Sequence, residues 1–504
     1  MKIFSSSQIK ACDQFTIDNE FVSSLHLMEK AAQSCMDFIV HEFNKNETIY
    51  IFCGVGNNGG DGFALARLLY LKGFDVEVFI DKTQKKFSKD AQVNFANLKE
   101  VLGVSVSDFS DFKKETVSKA SLIIDALFGL GLNRKIEGKS AEIIKLLNSI
   151  EAQKISIDLP SGIIADENLT DDAMVFQADI TLSFQFYKKA FLHPETGKFC
   201  GRVEVLDIGL SKECIENTTV NNYVISDSCI FRIYQPREEF SHKGNFGKSC
   251  IVAGSFGKIG AAVLATKAST RSGSGLTFIL APKCGYDVLQ TAVPEAIFLN
   301  GGIDFIQYFD LEEEYTFGIG PGLGNYSETK KSFLEFLKNY KNPLVLDADA
   351  LNILSENSQN LKLIPKKSII TPHPKEFSRL FGETQNSFER VELAKQKAHE
   401  LDIYIVLKDH HTQVITPQME VFYNVTGNCG LAKGASGDVL LGIVTSLLAQ
   451  KYSPKEAAIF GVWLHGKAAD IAAEKHSKES LLATDVIIDL GEVFKFLENK
   501  KGKL

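Results

Sequence analysis

The chain has 504 residues, of which 44% are hydrophobic and 23% charged, with a formal net charge of −8 and a pI of about 5.8. This length indicates about two to four domains, and the acidic balance argues against nucleic acid or an acidic membrane as the main partner. The nine cysteines are scattered without a C-x-x-C pair, which predicts reduced thiols in a cytoplasm rather than disulfides or a zinc site. No apolar run has the length of a membrane span, and no signal or transit peptide is expected at the N-terminus.

Short apolar runs alternate with helical patterns along the first half of the chain. Strands are predicted at 48–54, 76–80, 121–129, 155–162, 179–184 and 203–209, and helices lie between them at 63–73 and 141–150. Such alternation of near-continuous apolar strands with helices is typical of a parallel sheet that is covered on both faces.

The second half shows the same α/β alternation with a different sequence. Strands are predicted at 249–255, 276–281, 315–320, 343–349, 367–373 and 403–408, and helices at 261–272, 328–340, 386–401, 439–450 and 457–476. A polar stretch at 212–222, followed by a short strand, places the join near 215–235. The sequence therefore predicts two α/β domains, at 1–215 and 225–504.

The first of two glycine-rich segments, GVGNNGGDG at 54–62, follows a predicted strand and opens a helix. Its glycines let the backbone approach a ligand, and N–H groups at a helix N-terminus bind anions. This segment is not interpreted as the dinucleotide fingerprint, because its distinctive part is the run NNGGDG. Asn57 and Asn58 add groups suited to a cation or a sugar, and Asp61 is placed to cap the helix. A tight turn without a ligand is the alternative, which the run of specific polar residues disfavours.

Polar residues also end two later predicted strands, with Asp125 after one and Asp158 and Ser161 after the next. Ligands of open α/β sheets bind beyond the carboxyl ends of the strands, so these residues are expected to share a cleft with the first glycine-rich segment. Asn58, Asp125 and Ser161 form an oxygen-rich set suited to a hard monovalent cation rather than zinc. Each aspartate taken singly is equally well explained as a helix cap.

The second glycine-rich segment, GASGD at 434–438, precedes an apolar helix. Backbone N–H groups there can stabilise a transferring phosphoryl group, and Asp438 is placed to accept the proton of an attacking hydroxyl. A helix-capping aspartate is the alternative. The chain has no G-x-x-x-x-G-K-[ST] motif, so phosphate binding of the common NTPase kind is not indicated.

Residues 1–215 resemble the epimerase domain of NAD(P)H-hydrate repair enzymes in LMEKAA (27–32), NNGGDG, DALFGLG, IDLPSG and the segment TLSFQFYKKAF…GRVEVLDIGL. The resemblance implies a Rossmann-like three-layer αβα fold, acid–base chemistry by Asp158 and Lys188, and a potassium ion held by Asn58, Asp125 and Ser161. It also implies substrate contacts at Asn57, Asn58, Gly59, Gly60, Asp61, Gly129, Leu130, Gly131, Leu132, Asn133, Arg134, Lys135 and Asp158.

Three positions in this half depart from the family pattern. Lys189 stands where the family usually has proline, so the register leaves Lys188 and Lys189 as alternatives for the catalytic lysine. Leu130 replaces a usual threonine and Ala190 a usual glycine, which predicts a changed contact with the substrate.

Residues 242–490 resemble the NAD(P)H-hydrate dehydratase branch of the ribokinase-like superfamily in GIGPGLG (318–324), VLDADALNIL (345–354), TPHPKEFSRL (371–380) and GNCGLAKGASGD. The resemblance implies a ribokinase-like αβα sheet with Asp438 as the base. It implies substrate contacts at Ala261, Gly322, Gly324, His373 and Asp438, and nucleotide contacts at Lys408, Asp409, His410, His411, Thr412 and Gly437.

Some of these residues have a simpler interpretation. His373, between two prolines, is alternatively a turn residue, and Lys408 a solvated cation at a strand end. The family usually reads Lys-Gly-x-x-Thr where this chain has Lys408-Asp409-His410-His411-Thr412, which predicts weaker or altered nucleotide binding. Adjacent histidines do not have the spacing of a metal pair.

Together the two resemblances imply repair of hydrated NADH and NADPH, which carry a hydroxyl at C6 of the nicotinamide ring and occur as R and S epimers. The first domain would interconvert the epimers, and the second would dehydrate the S epimer at the expense of ADP, giving AMP and phosphate. ADP is the expected nucleotide with ATP as the alternative, Mg²⁺ is expected with the dehydratase, and a cytoplasmic homo-oligomer is expected.

Two other functions fit parts of the sequence. A ribokinase-like kinase of a sugar or vitamin alcohol fits GASGD alone, and a nucleotide-binding module with decayed sites fits the glycine-rich segments alone. The TPHPKE motif and the fused first half favour cofactor repair.

Overall fold

A computed structural model describes residues 1–45, 47–309 and 314–501, so the end of the second predicted domain, at 502–504, lies outside the described residues. The chain divides into two compact units, residues 2–220 and residues 221–504 together with Met1. Met1 joins the second unit because its terminal ammonium donates a hydrogen bond to the carbonyl oxygen of Val224 at 2.7 Å.

The first unit contains a seven-stranded sheet in which all strands are parallel, in the order β3-β2-β1-β4-β5-β6-β7. Its strands are β1 (Thr48–Cys53), β2 (Asp75–Ile80), β3 (Ser105–Asp108), β4 (Leu122–Ala126), β5 (Gln153–Ile157), β6 (Ile180–Phe184) and β7 (Arg202–Leu206). Its helices are α1 (Ser6–Asn19), α2 (Ser24–Glu42), α3 (Asn57–Leu71), α4 (Lys89–Lys99), α5 (Gly138–Asn148), α6 (Pro194–Gly197) and α7 (Lys212–Asn217).

Alternate residues of β1 pack into two different cores, one on each face of this sheet. Ile49 and Ile51 join a core formed with α2 and α3, whereas Tyr50 and Phe52 join a core formed with α5. Because side chains alternate across a strand, a strand that is apolar throughout requires helices on both faces. The near-continuous apolar runs of the sequence thus become a three-layer αβα unit.

The second unit contains a ten-stranded sheet in the order β11-β10-β9-β12-β13-β14-β15-β16-β17-β8. Its strands are β8 (Asn222–Val224), β9 (Lys248–Val252), β10 (Leu276–Ala281), β11 (Ile297–Asn300), β12 (Thr316–Ile319), β13 (Val345–Leu346), β14 (Ile369–Ile370), β15 (Tyr404–Leu407), β16 (Gln413–Ile415) and β17 (Val421–Tyr423). Its helices are α8 (Asp227–Ile233), α9 (Ile259–Arg271), α10 (Tyr286–Ala292), α11 (Ser327–Asn339), α12 (Ala348–Ser355), α13 (Pro374–Phe381), α14 (Ser387–Leu401), α15 (Ser436–Ala449), α16 (Pro454–His476) and α17 (Ala483–Lys501).

Helix α15 lies at the centre of the second core. Its residues from Val439 to Leu447 are buried, and Gly442 lets it cross α9 closely, since a Cβ at Gly442 would lie 2.2 Å from the carbonyl oxygen of Ala265. A helix that is apolar all round must be buried in this way. The burial fixes the start of α15, and with it the GASGD segment, against the sheet.

The predicted fold class is confirmed, because both units are α/β sheets covered by helices. Two details differ from the prediction. The hairpin β15–β16–β17 is antiparallel, and the polar stretch at 212–222 contains α7 of the first unit before β8 pairs with β17 in the second sheet. Within the described residues, no helix is both long enough and apolar enough to cross a membrane.

Candidate active sites

A cavity of about 540 Å³ opens in the first unit where the strand order reverses between β1 and β4. Reversal points of this kind are where open α/β sheets bind ligands, because the loops after adjacent strands separate there. Most of the predicted epimerase residues line this cavity, including Asn57, Asn58, Asp61, Asp158 and the loop from Gly129 to Arg134.

The first glycine-rich segment forms the start of α3, whose N-cap is Gly56. With no side chain to cap the helix, the N–H groups of its first turn remain available to an anion at the cavity. Asp61 is the fifth residue of the helix, so the expected capping role is wrong. Gly59 and Gly60 are buried beneath the cavity, where a Cβ would lie 1.8 Å from the carbonyl oxygen of Gly54 and 2.7 Å from the sulfur of Met28 respectively. Both glycines therefore serve the close packing of α3.

Asp158 and Lys188 form a buried ion pair at this cavity. The Lys188 ammonium lies 2.6 Å from Asp158 Oδ1 and 2.7 Å from Ser183 Oγ, and the lysine side chain is only 1% exposed. An ammonium buried so deeply keeps its charge only beside a carboxylate. Of the two lysines that the register left open, Lys188 is the one that contacts Asp158.

The backbone of Asp158 is in the left-handed region, with φ of +66°. A non-glycine residue there costs about 1–3 kcal/mol and is found mostly where function requires the geometry. The conformation is held by a hydrogen bond of 2.8 Å from the Asp158 N–H to the Leu182 carbonyl oxygen.

The 129–135 loop contacts Asp158 through its backbone. The Leu130 N–H donates to Asp158 Oδ2 at 3.3 Å, so replacement of the usual threonine leaves this contact in place. Lys135, at the end of the loop, instead forms an ion pair with Asp172 and does not line the cavity.

Asp125 is a fully buried carboxylate bonded only to hydroxyl and backbone N–H groups. It accepts hydrogen bonds from Ser161 Oγ at 2.6 Å, the Ser161 N–H at 2.8 Å and Ser156 Oγ at 3.1 Å. Among the described residues no cationic side chain contacts it, and burial raises the pKa of Asp125 to about 6. This oxygen-rich pocket with an uncompensated carboxylate fits a monovalent cation.

The second unit has a corresponding reversal point between β9 and β12. A Cβ placed on Gly322, whose φ is +65°, would lie 3.5 Å from the Cβ of Ala261, and the Gly324 N–H donates to Asp349 Oδ2 at 2.8 Å. The structure thus brings together three of the predicted dehydratase contacts, and it adds Asp349, for which no role was predicted.

Lys408 is paired with carboxylates rather than solvated. Its ammonium lies 2.7 Å from Asp347 Oδ1 and 3.9 Å from Glu376 Oε2. A Cβ on Gly437 would lie 3.3 Å from both Asp347 Oδ2 and Lys408 Nζ, so these two predicted nucleotide contacts are neighbours. Asp347 and Glu376 were missed as site residues, although both lie in the motifs VLDADALNIL and TPHPKE.

Asp438 lies in the first turn of α15, beside an uncapped helix N-terminus. The N-cap residue Ala435 has a left-handed φ of +74° and no side chain able to cap the helix, which leaves the first N–H groups free for an anion. Burial and the nearby carboxylate of Asp347 raise the pKa of Asp438 to about 7, although Lys408 lowers it. A carboxyl that titrates near neutrality is suited to general-base catalysis.

His373 is the N-cap of α13. Its Nδ1 accepts hydrogen bonds from the N–H groups of Lys375 at 3.1 Å and Glu376 at 3.3 Å, and burial together with Lys408 lowers its pKa. The imidazole is therefore neutral, and its Nε2 lies 3.4 Å from Glu376 Oε1. The capping role matches the simpler interpretation of His373.

The departure at 409–411 is compensated within the structure. Asp409 Oδ2 lies 3.1 Å from the Arg390 guanidinium, and both side chains are about five-sixths buried. The His411 Nδ1 lies 3.2 Å from the Asn424 carbonyl oxygen, and burial lowers the pKa of His411 to about 4. The added aspartate therefore does not present an unpaired negative charge to a nucleotide.

Helix α16 holds the loop that precedes α15. Asp470 accepts hydrogen bonds from the Gly427 N–H at 2.9 Å and from Asn428 Nδ2 at 3.0 Å, and the buried His465 Nε2 lies 3.4 Å from Ser436 Oγ. No role was predicted for these residues. The signal for them is HGKAAD at 465–470, where polar residues interrupt an apolar helix.

Two family models match this chain. One described as "YjeF-related protein N-terminus" matches residues 24–190, and one described as "NAD(P)H-hydrate dehydratase" matches residues 249–490. The first match lies within the unit that contains the Asp158–Lys188 pair, and the second within the unit that contains Asp438.

Two relatives that are similar over most of this chain share one name. The bifunctional NAD(P)H-hydrate repair enzyme of Moorella thermoacetica is 31% identical over 522 residues, covering 99% of this chain and 98% of that protein. The enzyme of the same name from Escherichia coli K12 is 32% identical over 446 residues, covering 88% of this chain and 84% of that protein.

A solved structure is similar to the second half. The ADP/ATP-dependent NAD(P)H-hydrate dehydratase of Bacillus subtilis, co-crystallised with ATP and Mg²⁺, has a TM-score of 0.50 and 31% identity, covering 55% of this chain and 100% of that chain. With two family models in order along the chain and relatives of more than 30% identity over nearly its whole length, the chain belongs to the family of bifunctional NAD(P)H-hydrate repair enzymes.

Proposed function

We propose that the first unit epimerises hydrated NADH and NADPH at the Asp158–Lys188 pair, and that the second dehydrates the S epimer at Asp438. One observation carries this assignment: each unit places an acid–base group where the strand order of its own sheet reverses. The corresponding domains are those predicted at 1–215 and 225–504.

At the first site, inversion at C6 needs groups that give and take protons beside the hydroxyl. The Asp158 carboxylate faces the cavity, and Lys188 behind it fixes its position and charge. The N–H groups at the start of α3 and the backbone of Gly129–Asn133 bind the rest of the substrate. This arrangement favours proton transfer over nucleophilic catalysis, because Asp158 is held by an ion pair.

At the second site, Asp438 accepts the proton of the C6 hydroxyl as its oxygen attacks the terminal phosphoryl group of the nucleotide. The N–H groups of Ser436 and Gly437 stabilise the phosphoryl oxygens. Phosphate then leaves C6 with the bonding electron pair, C5 gives up a proton, and the C5=C6 double bond of the reduced ring is restored. The two-step route works because phosphate is a far better leaving group than hydroxide.

ADP is the nucleotide that we propose for the second site, at Gly437 and the hairpin from Lys408 to Thr412. The B. subtilis relative co-crystallised with ATP and Mg²⁺ supports a nucleotide with Mg²⁺ in this fold. Among the described residues no three metal-ligating side chains cluster, which suits Mg²⁺ held by phosphate oxygens and one or two carboxylates. Asp347 and Glu376 are the carboxylates placed for this, and the ion would neutralise phosphate charge.

A direct experiment separates this function from that of an alcohol kinase. We expect incubation of the protein with ADP, Mg²⁺ and the S epimer to restore the absorbance of the reduced nicotinamide ring. Phosphorylation of a sugar or vitamin alcohol, with no restored absorbance, would contradict the proposal.

Potassium is proposed for the pocket of Asn58, Asp125 and Ser161, where it would supply fixed positive charge beside the substrate. We expect K⁺ to raise the melting temperature of the wild type over that in an equal concentration of choline, and to raise the epimerase rate. The Asn58→Ala variant should lose both responses, because it removes an amide oxygen without breaking the hydrogen bonds of Asp125. Identical melting curves in the two salts would exclude the ion.

Arg390 is expected to preserve nucleotide binding despite Asp409. Replacing Arg390 by leucine leaves the Asp409 charge uncompensated near the phosphates, so the KM for ADP should rise about tenfold. The double variant Arg390→Leu/Asp409→Gly should return the KM to near the wild-type value. A double variant as weak as the single one would show that Arg390 acts through packing instead.

Cytoplasmic location and a homo-oligomeric state stay predictions. All nine cysteines are free thiols in the structure, which suits a reducing compartment. Light scattering on the purified chain measures the oligomeric state.

A further inference from the structure

Four carboxyl groups line the epimerase cavity, and one of them, Asp81, is paired with Lys139. Asp13 on α1, Asp61 on α3 and Asp158 after β5 all line it, and Lys188 pairs with Asp158 alone. Resemblance to the family assigns roles to Asp61 and Asp158 but none to Asp13. The other cations at the cavity, Lys10 and Arg134, are exposed, so Lys188 is the buried charge beside these carboxyls and keeping all three ionised there is unfavourable.

Asp13 is half-buried and its carboxyl has no hydrogen bond or ion pair with any of the residues 1–45, 47–309 and 314–501. Its neighbour on the same helix, Asp18, differs in this respect, because it accepts a hydrogen bond from Gln14 on the outer surface. The carboxyl of Asp13 is only partly buried and lines the cavity. An unpartnered carboxyl that faces a ligand cavity is therefore placed to meet the ligand.

The protonation states of the three carboxyls follow from their surroundings. Burial and the charge of Asp158 raise the pKa of Asp13 to about 6, although Lys188 lowers it, and burial raises the pKa of Asp61 well above its ordinary value. Burial thus favours the protonated form of Asp61, and Asp13 exchanges a proton readily near neutral pH. Lys10 also lines this cavity, from the exposed side of α1.

Inversion at C6 needs a proton donor and a proton acceptor. The C6–O bond breaks with its electron pair going to oxygen, which takes a proton and leaves as water, while the lone pair of the ring nitrogen forms a C=N bond. Water then adds to C6 on the opposite face, the C=N pair returns to nitrogen, and the added water gives up a proton. No net proton is consumed, because one group has donated a proton and another has accepted one.

We propose that Asp13 is the second acid–base residue of the epimerase, working with Asp158 on opposite faces of the nicotinamide ring. In one direction Asp13 gives its proton to the departing hydroxyl while Asp158 takes one from the incoming water, and in the other direction the roles reverse. One proton is shared between the two carboxyls in both directions. This inference rests on the proposed epimerase function of the first unit.

The test compares Asp13→Asn with the matched control Asp18→Asn on the same helix. We expect Asp13→Asn to lower kcat/KM for epimerisation about 100-fold and Asp18→Asn to leave it unchanged. The bell-shaped pH profile of the wild type should keep only one limb in Asp13→Asn, which a structural role would not cause. Dehydration of the S epimer by the same protein should be unchanged in both variants, and neither variant should melt below the wild type.

Several outcomes overturn the inference. The inference is wrong if the Asp13→Asn variant keeps the wild-type rate and pH profile. It is also wrong if the lower rate of this variant is accompanied by a lower melting temperature or by an unchanged bell-shaped pH profile. Failure of the wild type itself to interconvert the epimers would instead contradict the proposed function. The two failures are therefore distinguishable in one set of measurements.

Discussion

Replacing Asp438 by asparagine is expected to lower the rate of S-epimer dehydration about 10³-fold and to leave epimerisation unchanged. Asparagine has nearly the shape of aspartate but cannot accept the proton of the attacking hydroxyl. The N–H groups at the start of α15 remain in place, so the KM for ADP should stay within about twofold of the wild-type value.

The pH dependence of dehydration provides a second measure of Asp438. Its pKa of about 7 implies that the wild-type kcat/KM rises with pH up to about 7, as the base loses its proton, and then levels. The residual activity of Asp438→Asn should lack this rise. A variant that keeps both the activity and the rise would show that another group is the base.

The same substitution should stabilise the protein at alkaline pH. Burial raises the pKa of Asp438 from 3.8 to about 7, so keeping this carboxylate ionised in the fold costs on the order of 4 kcal/mol as an upper bound. The cost is present above pH 7 and disappears as the pH falls below the unfolded pKa. We therefore expect Asp438→Asn to melt higher than the wild type at pH 8 and equally at pH 4, so lost activity would not reflect unfolding.

Replacing Asp158 by asparagine is expected to lower epimerisation by about 10²- to 10⁴-fold, with S-epimer dehydration intact. Asparagine tolerates the left-handed φ of +66°, so the backbone should hold its conformation, whereas alanine would add strain. The measurement is R-epimer consumption, coupled to the dehydratase of the same chain.

Loss of Asp158 also leaves Lys188 buried without a counter-charge, which should cost about 3–5 kcal/mol of unfolding free energy. The double variant Asp158→Asn/Lys188→Met removes both charges and should recover most of this stability without recovering epimerisation. If the double variant regained activity along with stability, the pair would be structural rather than catalytic.

The central strands of both sheets were predictable because they are apolar on both faces. Several short strands were not, although the edge strand β7 was. Strand β3 has the sequence SVSD with one apolar residue, and β16 and β17 have three residues each in an antiparallel hairpin. Such short strands are fixed by pairing with a formed neighbour, a tertiary effect that local periodicity does not contain.

The motifs predicted the candidate site residues that follow tight turns, such as Asp158 after β5 and Asp438 at the start of α15. They did not predict residues brought to the sites by helices, because those follow no fixed spacing from the loops. Arg390 lies on α14 and reaches Asp409 across 19 positions, and Asp13 faces the epimerase cavity from α1. Lys135 was predicted to contact the substrate from the end of the 129–135 loop, but its side chain forms an ion pair with Asp172 instead.

The most direct measurement is the recovery of reduced-nicotinamide absorbance from an equal mixture of both epimers with ADP and Mg²⁺. The wild type should convert the whole mixture, Asp158→Asn should convert the S half quickly and the R half only at the spontaneous rate, and Asp438→Asn should convert almost none. A mixture of the two variants should recover full conversion, because each supplies the site that the other lacks. Rapid full conversion by Asp158→Asn alone, or no recovery by the mixed variants, would contradict two separate sites acting on the same damaged cofactor.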